Sequence, residues 1–154
     1  MTKKSILNIF TLIIRLFIGS YFIYVAVGKI IHPEAFWVSI TNYQLLSKQA
    51  AGLVAIYLPW IELFSGLFLI LGLNLRGSSI IVCGLLIIFI VAVGSALARG
   101  LDINCGCITQ KAQPVGFKKI IEELFMLSGI LFIFFSEKPS RSWFTIKLLS
   151  SHIK

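Results

Sequence analysis

The stretch SSIIVCGLLIIFIVAVGSALA, residues 78–98, carries no charged side chain from end to end. A helix needs about 20 apolar residues to cross a hydrocarbon core, so this stretch reads as a transmembrane helix. Three more stretches follow on either side of it. Upstream, residues 50–73 are apolar apart from Glu62, with Pro59 one turn earlier. Further upstream, residues 5–31 are interrupted by Arg15 and end near Lys29. Downstream, residues 117–136 form a fourth apolar run, with Glu122 and Glu123 near its start. The reading is an all-α membrane protein: an antiparallel bundle of four transmembrane helices in a single domain over residues 1–136. A basic tail follows over residues 137–154, and its Trp143, Phe144, Ile146, Leu149 and Ile153 fit an amphipathic surface helix as well as a frayed end.

Composition agrees. Of 154 residues, 58% are hydrophobic and 13% charged, and mean hydropathy is +0.96. Soluble domains carry about a quarter charged residues. The net charge of +8 could suggest nucleic acid as a partner. The basic residues, however, sit in short flanks between apolar runs, where they anchor helix ends at lipid headgroups. A nucleic-acid surface needs them gathered on one face of a soluble fold. Lys3 and Lys4 ahead of an apolar run resemble a signal peptide, but the run is too long for one and Arg15 breaks it.

The connections differ in kind. Residues 74–77, Asn-Leu-Arg-Gly, make a tight turn, so the second and third spans are antiparallel neighbours. Between the first two spans, Pro33 suits the first position of a helix. Phe36, Trp37, Ile40 and Tyr43 follow on one face at helical spacing. That predicts a short helix lying in the membrane interface with its aromatics at headgroup level. A plain loop with scattered aromatics is the other reading. The longest polar stretch, Arg99 to Lys119, contains Gly100, Gly106, Pro114 and Gly116, which favour an irregular loop.

An even number of spans puts both termini on one side. That side holds Lys3, Lys4, Arg76, Lys138, Arg141, Lys147 and Lys154, against Lys29, Lys48, Arg99, Lys111, Lys118 and Lys119 on the other. The flank before the first helix counts most, which predicts cytoplasmic termini. The loop with Cys105 and Cys107 then faces an oxidising space where disulfides persist. Cys83, near the opposite end of its helix, reads as small apolar filler.

Charge inside a span is a functional hypothesis by default. Arg15 and Glu62 each lie about 15 Å from the same side, counted along their helices at 1.5 Å per residue. The expectation is an Arg15–Glu62 ion pair, either fixing register or handling protons or a ligand. Pro59 removes a backbone hydrogen bond beside Glu62 and opens a small polar gap near Ala55. The sharpest motif is Asp102-Ile103-Asn104-Cys105-Gly106-Cys107. A Cys-Gly-Cys disulfide closes a very small ring, whose strain makes it a better oxidant. That suits thiol–disulfide exchange. A metal site with His32 as third ligand and two ordinary loop cysteines are the other readings. Lys29 reads as a snorkelling anchor or, beside the cysteine loop, as an ammonium that favours the thiolate. His32 reads as a helix cap or interfacial residue, or as a partner of Lys29 in tuning the thiolate.

Four stretches together resemble the DoxX/MauE-like family of small four-helix redox-associated membrane proteins. They are Arg15-Leu16 followed by Gly28-Lys29-Ile30, Pro33 and Phe36; Tyr43; Leu58-Pro59-Trp60-Ile61-Glu62-Leu63 with Gly66 and Gly72; and Ala98-Arg99-Gly100-Leu101-Asp102-Ile103 leading into Cys105-Gly106-Cys107. Where the family often continues with Phe-Gly, this chain has Ile108-Thr109. The resemblance implies extracytoplasmic disulfide chemistry. In its methylamine-utilisation branch it implies maturation of a disulfide-rich periplasmic enzyme, and in other relatives coupling to a membrane quinone. The combined expectation is a thiol–disulfide redox protein of the bacterial inner membrane. Cys105 and Cys107 would exchange with exported thioredoxin-fold or cysteine-containing partners, with Lys29, His32, Arg15, Glu62, Pro59 and Asp102 in support. The rivals are a membrane scaffold or accessory subunit of a redox or export assembly, and a metal- or solute-binding membrane protein.

Overall fold

A computed structural model describes the backbone of residues 3–100 and 117–136. These form five α-helices: α1 (Lys3–Ile31), α2 (Pro33–Asn42), α3 (Lys48–Leu71), α4 (Leu75–Ala98) and α5 (Phe117–Ser136). Asp102, Cys105, Cys107 and the tail from residue 137 onward lie outside the described residues.

Among the described residues, three helical segments are long and apolar enough to cross a membrane: Ile9–Ile31, Lys48–Leu71 and Leu75–Ala98. α5 carries Lys118, Lys119, Glu122 and Glu123 in its first two turns, which lowers its apolar share. The outside of the bundle is apolar too: Phe125, Phe135 and Ile88 are 73%, 80% and 65% exposed. A bundle that is greasy outside as well as inside is built for lipid.

Local chemistry sets the helix ends. Pro33 opens α2 at a position whose N–H would be unpaired anyway. The Ser47 side chain caps α3 by accepting from the Ala50 N–H at 3.3 Å. Gly72 ends α3 at φ 73°, and the Leu73 N–H closes back on the Phe68 carbonyl at 3.0 Å. The chain then reverses into α4.

α1 packs antiparallel along α3, and glycine makes this possible. A Cβ on Gly19 would lie 2.6 Å from Ile70 Cγ1 and 2.9 Å from the Gly66 carbonyl oxygen. A Cβ on Gly66 would lie 3.0 Å from the Gly19 carbonyl oxygen. Small residues let membrane helices approach this closely. α5 runs antiparallel to α1, with Phe10 edge-on to Phe132 and Gly129 beside Ile14 and Ile18. The main core joins Ile18, Phe22, Leu69, Val82, Leu86, Met126 and Ile130, and Cys83 packs against it, partly buried.

The face of α2 turns inward more than the sequence suggests. Phe36 is 2% and Tyr43 7% exposed, whereas Trp37 is 37% exposed. Trp37 Nε1 donates to the Lys48 carbonyl at 3.4 Å, seating α2 against the first turns of α3.

Candidate functional site

The Gly19–Gly66 crossing fixes the register of α1 on α3, and that register decides which charges meet. Arg15 reaches the far turn of α3, where Nε donates to the Leu69 carbonyl at 3.1 Å and Nη2 to the Ile70 carbonyl at 3.4 Å. Those carbonyls lie seven and eight residues beyond Glu62, roughly 10–12 Å along the helix. The expected Arg15–Glu62 pair is therefore wrong. Depth counted from helix ends matches only when the ends are level, whereas α1 is displaced along α3.

Glu62 pairs with Lys29. Lys29 Nζ donates to Glu62 Oε1 at 2.7 Å and to Oε2 at 2.9 Å. The side chains are 0% and 3% exposed. Lys29 thus points into the bundle, and the snorkelling reading fails. The ammonium also lies 4.5 Å from the centre of the Phe36 ring and 4.6 Å from that of Phe89. Each ring presents its negative face to the cation. Four elements converge here: α1 supplies the lysine, α3 the carboxylate, α2 and α4 the two rings. Pro59 is buried one turn before Glu62, inside an unbroken α3. His32 is exposed at the junction of α1 and α2, without a side-chain cap bond.

A second polar group lies on the α5 side. Lys119, 5% exposed, donates to the Tyr21 hydroxyl and to Glu122 Oε2, both at 2.9 Å. Between the two groups runs a narrow, open-mouthed cleft. Tyr21, Phe22, Phe89 and Met126 line it, together with Lys29, Glu62 and Glu123. Glu123 is 4% exposed. Sequence reading passed over Tyr21, Phe89 and Lys119. The available signal was Lys119 placed three and four residues before Glu122 and Glu123, on one face of a membrane helix.

The end of the bundle that holds Lys29 also holds both roots of the cysteine-bearing stretch. The chain leaves α4 at Ala98 and enters α5 at Phe117. At the first root, Arg99 Nη2 donates to the Tyr43 carbonyl, joining it to the end of α2. At the second, Lys119 ties α5 to α1.

The sequence pattern described as methylamine utilisation protein MauE matches residues 7–136, which cover all of the described helices but the first turn of α1. The chain belongs to the MauE family. Methylamine utilization protein MauE of Paracoccus denitrificans is 27% identical over 122 residues, covering 78% of this chain and 66% of that protein. The MauE protein of Methylorubrum extorquens is 30% identical over 98 residues, covering 63% of this chain and 53% of that protein. The chain thus aligns with about two thirds and about half of the length of these curated relatives. No solved structure matches it significantly. This MauE-family chain is a membrane protein with several apolar helices, and its conspicuous interior feature is the buried Lys29–Glu62 pair.

Proposed function

We propose that this MauE-family chain is an inner-membrane thiol–disulfide exchange protein serving exported partners in methylamine utilisation. The observation that carries the reading is the common placement of two features. The roots of the Cys105-Gly106-Cys107 stretch are pinned at the bundle end that holds the charged cleft. In the exchange, a thiolate of the partner attacks the Cys105–Cys107 disulfide, and a mixed disulfide forms. The second partner thiol resolves it, leaving a partner disulfide and two thiols on this chain. The partner is oxidised by two electrons, and its two thiol protons are balanced by the two taken up on Cys105 and Cys107.

Four spans belong to this reading, with α5 as the fourth and α2 at the headgroup level of the periplasmic side. Both termini are then cytoplasmic, as the Lys3–Lys4 flank favours. A membrane quinone would supply the two-electron, two-proton sink. Phe22, Phe89 and Met126 would offer it apolar walls.

Alkylation of Cys105 and Cys107 in intact cells, with and without a reductant, tests the proposal. A mass shift that requires reductant is expected in growing cells. Cys105→Ser should abolish restoration of partner oxidation in a deletion strain. Full restoration by that variant sinks the mechanism.

A further inference from the structure

We propose that Glu122, Lys119 and Tyr21 form a proton path from the aqueous end of α5 to the buried Lys29–Glu62 pair, and that Glu62 is where the proton comes to rest. The inference stands on the cleft and not on the cysteines.

Three observations carry it. The first is continuity. Glu122 is half exposed, with a side chain 51% accessible, while the Lys119 side chain beside it is 5% accessible. Lys119 Nζ bridges Glu122 Oε2 and the Tyr21 hydroxyl at 2.9 Å each. Every group in this series can hold or pass a proton. The second is the cleft itself, which Tyr21 shares with Glu62, Lys29 and Glu123. The cleft is narrow and mostly apolar, but Tyr21, Glu62 and Glu123 give a water within it the polar partners it needs to link them. The third is what surrounds Lys29. When Glu62 takes up a proton, the ammonium loses its counter-charge. The Phe36 and Phe89 rings, 4.5 and 4.6 Å away, then hold the cation by their faces. A pair that served only as a fixed strut has no need of that second means of support.

The step is proton transfer alone. A proton from water passes to Glu122, an ammonium proton of Lys119 moves on to Tyr21, and the tyrosine hydroxyl proton moves through the cleft to Glu62. Glu122 then returns its proton to Lys119, and the hydroxyl is remade, so only Glu62 has changed. The titratable groups that share the cleft with Glu62 are Lys29 and Tyr21 from α1 and Glu123 from α5, with Lys119 behind Tyr21. α2 and α4 present only the Phe36 and Phe89 rings and Leu86 among the described residues.

Infrared spectroscopy on the full chain in lipid nanodiscs, in a background with Cys105 and Cys107 replaced by serine, provides the test. A jump in external pH should change a carboxyl band that Glu62→Gln removes and Glu123→Gln retains. Tyr21→Phe and Lys119→Met should keep the band and slow its response by about a hundredfold or more, the scale on which a positioned proton donor matters. Glu122→Gln should slow it less, because water can reach Lys119 directly. Unchanged rates in both Tyr21→Phe and Lys119→Met overturn the path. A Glu62 band that ignores pH in a folded sample overturns the terminus. Helical content and melting temperature, read on each variant, keep misfolding apart from slow transfer. Because the cysteines are absent, failure here leaves the disulfide reading standing, and the reverse.

Discussion

Lys29 is a lysine whose side chain is wholly buried in the bundle. Its ammonium makes both of its hydrogen bonds to Glu62, with Phe36 and Phe89 over the remaining faces. Removing one member of a buried pair strands the other, which costs roughly 3–5 kcal/mol, whereas replacing both with apolar residues is often neutral. Lys29→Met should therefore lower stability by about that amount, and Lys29→Met with Glu62→Leu should recover most of it. Melting temperatures in nanodiscs check this, and a double variant as unstable as the single one would contradict it. The sequence marked all four of Arg15, Lys29, Pro59 and Glu62 as worth watching. It did not reveal who pairs with whom, because pairing depends on a helix offset of a few residues that no charge pattern encodes. Phe89 was invisible for a different reason: in a stretch as uniformly apolar as residues 78–98, nothing singles out one ring.

At the level of elements, the α1–α3 crossing is the most sensitive contact. Gly19→Ala drives its new methyl against a backbone oxygen of α3, and overpacking of this kind costs typically 1–3 kcal/mol. Gly84→Ala on α4 meets nothing within 4 Å and should be tolerated. Comparing their melting temperatures isolates the crossing from any general effect of alanine. The cleft provides a second readout, since a shifted crossing moves Glu62 relative to Lys29. Arg99→Gln removes the guanidinium tie to the Tyr43 carbonyl at the end of α4. It should leave global stability within about 1 kcal/mol, as for one partly buried hydrogen bond. Hydrogen exchange at the α4 terminus should nevertheless rise. The helices themselves were legible, since long apolar runs and a tight turn decide them locally. The inward turn of α2 was not. Helical spacing groups Phe36 with Tyr43 and cannot say whether that face meets lipid or protein.

For the whole molecule, sidedness is the property on which function turns. Impermeant maleimide should label a cysteine placed at Lys118 from outside intact cells and one placed at Arg76 only after permeabilisation. The opposite pattern would put Cys105 and Cys107 in the reducing cytoplasm. The family was legible from residues 15–107 because its marks are motifs: the Pro59-Trp60-Ile61-Glu62-Leu63 run and the Cys-Gly-Cys stretch. The charged cleft was not, because its residues come from four helices that only packing brings together.

The displacement of α1 along α3 also bears on how the chain enters the bilayer. Lys29 emerges from the ribosome thirty-three residues before the glutamate that neutralises it. Arg15, well inside α1, is the costly residue: an arginine at the centre of a lone helix costs about 2.5–3.5 kcal/mol to insert, whereas Lys29 in the last turn can reach the interface until α3 arrives. The first helix is thus a reluctant guest by itself, and it becomes a comfortable one only when α3 arrives. Biogenesis should therefore proceed by hairpin, with the first helix held at the translocon until its partner is made. A nascent chain stalled before Glu62 should remain extractable by alkali, and one stalled after Leu71 should not.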